Sequence, residues 1–194
     1  LLRIGKCYEK LNNKVEAIKY YNKTVHEDPL LDKGWIAITD FYLREQNFQK
    51  ALFFVNKALA IDNQNRLYWK RYASINKQMN FFEEAEFGYR KAVEFGDTDI
   101  DTWLFWVDIL QFLGEFETAI HTLLEAVDYF PEENEIEYRL AGLYFMIHDD
   151  RKAKIHLSNA LRLNFNNYIL IEDLFPVVWE KKMVQNYIEK HNKQ

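Results

Sequence analysis

The sequence predicts an all-α protein, built as a solenoid of stacked antiparallel helix pairs, and two observations support this prediction. Alanine recurs at one fixed interval without an insertion or a deletion, at Ala17, Ala51, Ala85, Ala119 and Ala153. The same step leads from Val25 to further branched aliphatic residues, at Leu59, Val93, Val127 and Leu161. A fixed period of about 34 residues is typical of proteins whose repeating unit is a helical hairpin.

The first helix of each repeat is predicted from apolar and small residues at helical spacing. In the second repeat such residues lie at positions i, i+3, i+4 and i+7, namely Trp35, Ile38, Thr39 and Tyr42. This spacing places the four side chains on one helical face. The polar residues Gln46 and Asn47 follow. We therefore expect the first helix to end there in a turn.

The second helix of the same repeat is predicted from a stripe that contains two alanines: Ala51, Val55, Ala58 and Leu59. Small side chains at these positions allow two helix backbones to approach each other closely. Asp62 and Asn63 follow this stripe, and both favour turns. Each repeat is thus expected to end in a short polar connection before the next pair begins.

The period breaks after residue 167. Tyr187 stands where the next alanine of the series would fall, and Pro176 interrupts an apolar run. Because proline disfavours a helical residue before it, we predict one short helix before Pro176 and another after about Val177. Residues 168–194 would then form a cap that covers the apolar face of the last repeat.

These positions resemble the tetratricopeptide repeat family over residues 1–167. The resemblance rests on the alanine series and on tryptophans near the start of the first helix, at Trp35, Trp69 and Trp103. Gly5, Gly114, Pro29 and Pro131 add to it. Thr39, Ala73, Val107 and Ala141 replace the small glycine of the family pattern, and Glu137 replaces the early tryptophan.

The resemblance implies five repeats, over residues 1–31, 32–65, 66–99, 100–133 and 134–167, followed by capping helices over 168–194. It also implies a right-handed superhelix whose first helices line the concave side. Family members of this kind bind other proteins, so the resemblance favours a non-catalytic scaffold.

The composition and motifs give little support to catalysis. The chain is 48% hydrophobic and 28% charged, with a net charge of −5. It has no phosphate-binding glycine loop, no paired-cysteine metal framework and no nucleophile elbow. His148, Asp149 and Asp150 are adjacent, but they fall at a predicted turn. We therefore predict neither an enzyme nor a metal site, and no cofactor.

The predicted concave groove changes character along the chain. Its N-terminal half carries cations, among them Lys33, Arg44, Lys70, Arg71 and Lys77. Its C-terminal half carries mainly apolar and aromatic residues, together with Asp108 and Arg139: Leu104, Phe105, Phe112, Tyr138 and Phe145. We predict a protein or peptide ligand with an acidic end and an apolar end.

The sequence alone leaves two alternatives open for this groove. The cations could form an ordinary solvated helix face. The aromatic residues could be covered by the C-terminal helices or by a second subunit, because large exposed apolar patches are uncommon on monomers.

Three further functions stay open beside the scaffold. The chain could be a self-assembling homo-oligomer, or a docking module of a larger protein. It could also bind RNA, since Trp69, Tyr72 and Ala73 resemble the half-repeat variant found in RNA-processing factors. The acidic total disfavours binding to RNA and to an anionic membrane surface. The sequence has no run of about 18 apolar residues, so membrane insertion is not expected.

The cellular location is not encoded in a recognisable signal. With Cys7 as the single cysteine, no internal disulfide can form, so a cytoplasmic location is favoured. The chain opens on Leu1, Leu2 and Arg3 without a methionine. We therefore expect a truncated chain, and an upstream signal sequence stays open.

Overall fold

A computed structural model describes residues 1–191, and these residues form an all-α structure without strands. Ten helices follow one another in pairs: α1 (Leu2–Lys10) with α2 (Lys14–Glu27), α3 (Asp32–Arg44) with α4 (Phe48–Ile61), α5 (Arg66–Gln78) with α6 (Phe82–Glu94), α7 (Ile100–Phe112) with α8 (Phe116–Tyr129), and α9 (Asn134–Met146) with α10 (Asp150–Leu163). The predicted all-α solenoid of consecutive helix pairs is confirmed.

The helix starts repeat the period of the sequence. The second helices of the five pairs begin at the same interval as the alanine series, at Lys14, Phe48, Phe82, Phe116 and Asp150. Each of the five periodic alanines is fully buried near the start of such a helix. The missing side-chain volume lets the partner helix pack closely, which is why alanine recurs at this position.

The C-terminal stretch contains four short helices rather than the two expected. They are the 3-10 helix η1 (Phe165–Tyr168), α11 (Ile169–Leu174), α12 (Pro176–Trp179) and α13 (Lys182–His191). Pro176 begins α12 instead of only ending α11, because proline fits the first position of a helix. The predicted cap runs to residue 194, and its last three residues lie outside the described part.

The chain divides into two compact units, Leu1–Thr102 (unit 1) and 103–194 (unit 2). In unit 1, the alanine stripe of α4 packs with Tyr68 and Ile75 of α5, and the stripe of α2 packs with Ile38 and Phe41 of α3. In unit 2, Leu123, Leu140, Leu143 and Leu157 are fully buried. Each unit therefore buries apolar side chains of its own helices.

The tryptophans of the first helices secure the preceding turn. The indole Nε1 of Trp35 donates a hydrogen bond to the carbonyl of Pro29 at 2.8 Å, and that of Trp69 donates to the carbonyl of Asn63 at 2.7 Å. Both bonds join a helix to the connection that ended the previous pair. This contact explains why tryptophan recurs at this place in unit 1.

The turn within each pair has a repeated left-handed residue. The backbone φ is positive at Asn12 (57°), Gln46 (54°), Asn80 (61°) and His148 (62°), and at Gly114 (80°). These positions recur with the step of the alanine series. At three of the five turns the next residue caps the second helix: Asn13, Asn47 and Asp149 each accept a backbone N–H with a side-chain oxygen. His148, Asp149 and Asp150 thus belong to a turn of this kind.

We expect Gln46→Gly to raise the free energy of unfolding of unit 1 by about 0.5–1 kcal/mol. The left-handed conformation is strained for a residue with a Cβ atom, and the relief exceeds the entropy that glycine loses on folding. Urea unfolding measures the change. Gly114→Gln places the same side chain at the equivalent turn of unit 2 and should have the opposite sign. A destabilised Gln46→Gly variant would contradict this account of the turn.

Candidate protein-binding surface

The first helices of unit 1 share one polar side, which we call the first-helix face. It is formed by α1, α3 and α5 and carries Lys6, Glu9, Lys10, Lys33, Asp40, Arg44, Lys70 and Arg71. The opposite sides of these helices pack against α2, α4 and α6. The predicted cations of the N-terminal half all lie in this unit.

Two ion pairs connect successive first helices across this face. Arg44 of α3 forms one with Glu9 of α1. Arg71 of α5 forms the other with Asp40 of α3, through Nε at 2.6 Å and a second guanidinium nitrogen at 3.1 Å. A two-point contact of this kind fixes direction as well as distance. The ion pairs therefore help to set the spacing of the stacked helices.

A third ion pair joins α5 to the connection that follows α6. Lys70 Nζ lies 2.5 Å from Asp99 Oδ2. This hydrogen bond holds the pKa of Asp99 below its ordinary value, despite the opposing effect of burial. The ion pair is present at every pH at which Asp99 is ionised, and it is lost as the pH falls through that lowered pKa.

Two buried tyrosines donate hydrogen bonds to carboxylates of the first helices. Tyr21 Oη donates to Glu9 at 3.1 Å, and Tyr68 Oη donates to Asp32 at 2.6 Å. Burial, together with the neighbouring carboxylate, raises the pKa of both tyrosines above its usual range. Both phenols consequently stay protonated and act as fixed donors, which orients Glu9 towards Arg44.

Three of the cations predicted for the N-terminal half of the groove form ion pairs within unit 1. Arg44, Lys70 and Arg71 are each paired with a carboxylate of the same unit, and Lys77 is half-buried on α5. Lys33 is exposed and, like Lys6 and Lys10, forms no ion pair among residues 1–191. These three lysines supply the positive excess of the face.

Unit 2 repeats one of these ion pairs in a more buried setting. Arg139 of α9 lies 2.5 Å from Asp108 of α7 and 2.9 Å from Glu135, one turn earlier on its own helix. Its side chain is 6% exposed, whereas that of Arg71 is 32% exposed. Arg139 is thus an internal structural residue, and the prediction that it lines an open groove is wrong.

Three apolar residues predicted for the groove are buried as well. Tyr138 is 0% exposed, Phe145 is 1% exposed and Leu104 is 8% exposed. Tyr138 Oη donates to the carbonyl of Asn164 at 2.8 Å, and burial raises the pKa of this phenol. Lys181 lies over the ring of Phe145 and donates to its carbonyl. Their placement on an open surface is therefore wrong.

The chain's own C-terminal segment covers one side of α9. Phe175, which follows α11, packs directly on Gly142 of α9: a Cβ atom built on this glycine would overlap the phenylalanine ring. Gln111 of α7 donates its side-chain amide to the carbonyl of Leu174 at 3.1 Å. The segment thus lies across α9 and reaches α7, where it occupies the face that the sequence assigned to a ligand.

Phe105 and Phe112 of α7 remain on the surface of unit 2. Phe105 is 37% exposed and Phe112 is 67% exposed. Of the predicted aromatic half, these two side chains are the part that a partner could still reach.

The two units differ strongly in charge. Residues 1–102 contain 16 lysines and arginines against 15 aspartates and glutamates, whereas residues 103–194 contain 9 against 15. The net charge of −5 is therefore carried by unit 2, and unit 1 is close to neutral. Unit 2 therefore disfavours an acidic ligand on electrostatic grounds, whereas unit 1 does not.

Sequence reasoning missed the pairing, although a signal was present. Asp40 and Asp108 are two repeats apart, and so are Arg71 and Arg139. Because the acids and the bases recur with the same step, the same contact is made twice. A search for opposite charges that recur with the repeat would have found it.

The described residues offer neither a metal site nor a membrane span. Residues 1–191 contain no group of three or more His, Cys, Asp or Glu side chains that could hold a metal ion. Within that same range, no helix combines the length and the apolar character that a membrane span requires.

Known proteins resemble the chain in sequence and in fold. The sequence model of the tetratricopeptide repeat matches residues 1–30. The crystal structure of MamA matches with a TM-score of 0.70 at 16% identity, over 82% of this chain and 94% of that one. The crystal structure of YrrB, a TPR protein with an unusual peptide-binding site, matches with a TM-score of 0.72 at 15% identity, over 89% of each chain. At such identities the structures show the fold alone.

A curated relative is much longer than this chain. Pre-mRNA-splicing factor CLF1 of Candida glabrata is 22% identical over 157 residues, which cover 79% of this chain and 20% of the relative. The chain thus spans about a fifth of that relative's length.

Proposed function

Because this chain is built from tetratricopeptide repeats, we propose that it is a non-catalytic protein–protein interaction scaffold, with five repeats over residues 1–31, 32–65, 66–99, 100–133 and 134–167. The first-helix face of unit 1 is its binding surface, and the ligand is a peptide or a partner protein. The observation that carries the proposal is that Lys6, Lys10 and Lys33 of this face are exposed, whereas the chain's own segment covers the corresponding face of α9.

The ligand segment on this face is acidic. Lys6, Lys10 and Lys33 are exposed and form no ion pair among residues 1–191, so they offer uncompensated positive charge. Leu67 of α5 is half-exposed at the position equivalent to Lys33 and adds an apolar contact. The apolar end that the sequence predicted for the ligand stays a prediction, and its exposed candidates are Phe105 and Phe112.

A charge reversal on this face tests the proposal. The double variant Lys10→Glu/Lys33→Glu should bind a labelled glutamate-rich peptide about tenfold more weakly, since two attractions become repulsions. Fluorescence anisotropy at low and at physiological salt measures the affinity, and added salt should weaken binding to the unmodified chain.

The matched control reverses two lysines on the second helices of the same unit. Lys23→Glu/Lys57→Glu changes the net charge equally, but it lies on α2 and α4. Among residues 1–191, the one ion pair that it breaks, between Lys23 and Glu27, is exposed and lies within α2. An equal loss of affinity in both double variants would reject the first-helix face as the site. Arg71 is a poorer choice, because its reversal would also break the ion pair with Asp40.

Self-assembly is distinguished by light scattering over a range of concentrations. A chain that stays monomeric at high concentration supports a foreign ligand, and a mass that grows with concentration supports a homo-oligomer.

The similarity to a splicing factor favours a second candidate, in which the chain is a protein-docking module of a longer protein in an RNA-processing assembly. The charge distribution supports a protein rather than RNA as the direct ligand. Titration with single-stranded RNA checks this: salt-sensitive RNA binding tighter than that of the glutamate-rich peptide would overturn the protein ligand.

A further inference from the structure

A cavity of about 310 Å³ opens in the C-terminal part of unit 2. It is bounded by η1, α12 and α13, and it is lined by Phe165, Tyr168, Trp179, Gln185, Ile188 and Glu189. Its volume is at the lower end of the range for small-ligand sites. Aromatic rings make up half of the lining residues.

The three rings form two adjoining walls. Tyr168 and Trp179 are stacked, with ring centroids 6.0 Å apart and planes 20° from parallel. Phe165 is tilted by 53° to Tyr168 at a centroid distance of 5.7 Å. All three side chains are half-buried and line the cavity.

The polar residues of the cavity have different tasks. Gln185 donates its side-chain amide to the carbonyl of Trp179 at 2.8 Å, which fixes α13 against the end of α12. Ile188 is buried and supplies an apolar part of the lining. Glu189 is exposed and forms no ion pair among residues 1–191. A carboxylate at an aromatic cavity adds negative charge to ring faces that are already electronegative.

Elsewhere in the chain, aromatic rings attract the protein's own cations. Lys50 lies 5.0 Å from the centroid of Tyr42, and Lys152 lies 5.1 Å from that of Tyr144. Within residues 1–191, no lysine or arginine lies over Phe165, Tyr168 or Trp179. The cavity thus presents aromatic rings of the kind that contact lysines elsewhere in the chain, and a partner can reach these rings from the surface.

We propose that this cavity binds the methylated ammonium group of a lysine side chain from a partner protein. Ring faces attract cations, and aromatic cages with a neighbouring carboxylate suit alkylated ammonium groups. Methyl groups lower the hydration of the ammonium, so less is lost when it leaves water. The acidic excess of unit 2 favours a basic partner segment. This site does not depend on the acidic ligand proposed for unit 1.

Three short peptides of one sequence, titrated into the full chain by calorimetry, test the proposal. One carries a central trimethyllysine, the second carries its neutral isostere with carbon in place of nitrogen, and the third carries unmodified lysine. We expect the trimethyllysine peptide to bind about tenfold tighter than either of the others. Equal affinity for the charged and the neutral side chain would overturn the proposal, and so would the absence of binding.

Variants then assign the role of each wall. Glu189→Gln should weaken the trimethyllysine peptide about threefold or more and leave the neutral peptide unchanged. Glu180→Gln removes an exposed carboxylate of the same segment that does not line the cavity, and it should change neither.

The aromatic walls are tested by Trp179→Leu, with Tyr168→Leu as a second variant if the first does not fold. Each folded variant should lose the preference for the charged peptide. Retention of that preference in both variants would overturn the cage.

Discussion

Phe175→Ala is expected to lower the free energy of unfolding of unit 2 by about 3–5 kcal/mol. Phe175 is 2% exposed, and its ring lies directly against the backbone of Gly142. Removing the ring leaves a cavity beside α9. The backbone of a closely packed helix cannot move far enough to fill it. The loss should concentrate in the C-terminal segment and in α9.

Hydrogen exchange measures this local effect together with the global one. Amides of residues 169–179 and of α9 should exchange faster in Phe175→Ala, while those of α2 and α4 should keep their protection. Val177→Ala is the matched control, since Val177 lies in the same segment with an exposed side chain. A change in stability no larger than that of the control would show that the segment does not hold unit 2 together.

Gly142→Ala tests the same contact from the other side. The added Cβ atom would overlap a ring that is itself confined, so the ring or the helix must move. We expect a destabilisation of about 1–3 kcal/mol, although alanine normally favours a helix over glycine. A stabilised variant would mean that the C-terminal segment moves away from α9 at little cost in free energy.

Much of the fold could be predicted from the sequence because its determinants are local and periodic. The buried alanines and the turn residues recur with the same step as the helix starts. Each helical hairpin buries its face against its neighbour, so the pattern within one repeat defines the packing of the next. No distant contact is needed to position Ala51 or Gln46.

The misassigned groove residues depended on contacts that periodicity does not encode. Tyr138 and Phe145 lie on a plausible ligand-binding side of α9, and the sequence does not state where the chain goes after residue 167. The bond from Gln111 to Leu174 joins residues 63 positions apart. Gly142 offered a partial signal, since a glycine within an apolar helix often marks the close approach of another group.

The ion pairs of the predicted cations were missed for a different reason. The carboxylate that binds Lys70 lies in a connection, 29 residues later in the chain. A search restricted to the first helices could not find Asp99 there. The pair of Arg71 with Asp40 did lie within those helices, and its recurrence two repeats later identifies it as part of the stacking rather than of a ligand site.

The double variant Asp108→Asn/Glu135→Gln is expected to lower the free energy of unfolding of unit 2 by about 3–5 kcal/mol, because it removes both negative partners of Arg139. Arg139 would then keep its charge in a site where its side chain is 6% exposed. Arg139→Met should have a smaller effect, since methionine fills the apolar space while both carboxylates retain partial access to water. Urea unfolding followed by hydrogen exchange of α7 and α9 compares the variants.

The equivalent contact in unit 1 supplies the control for burial. Asp40→Asn removes the partner of Arg71, whose side chain is 32% exposed, and should change stability by less than about 1 kcal/mol, because water replaces the lost carboxylate. The matched comparison in unit 2 is Asp108→Asn alone, because Glu135 corresponds to Leu67 in unit 1. A difference between these two single variants reports on the different burial of the two arginines. Similar losses at both sites would mean that stacking depends on the ion pair itself. A large loss in unit 2 alone would mean that the C-terminal segment, by excluding water from α9, turned a minor surface contact into a structural one.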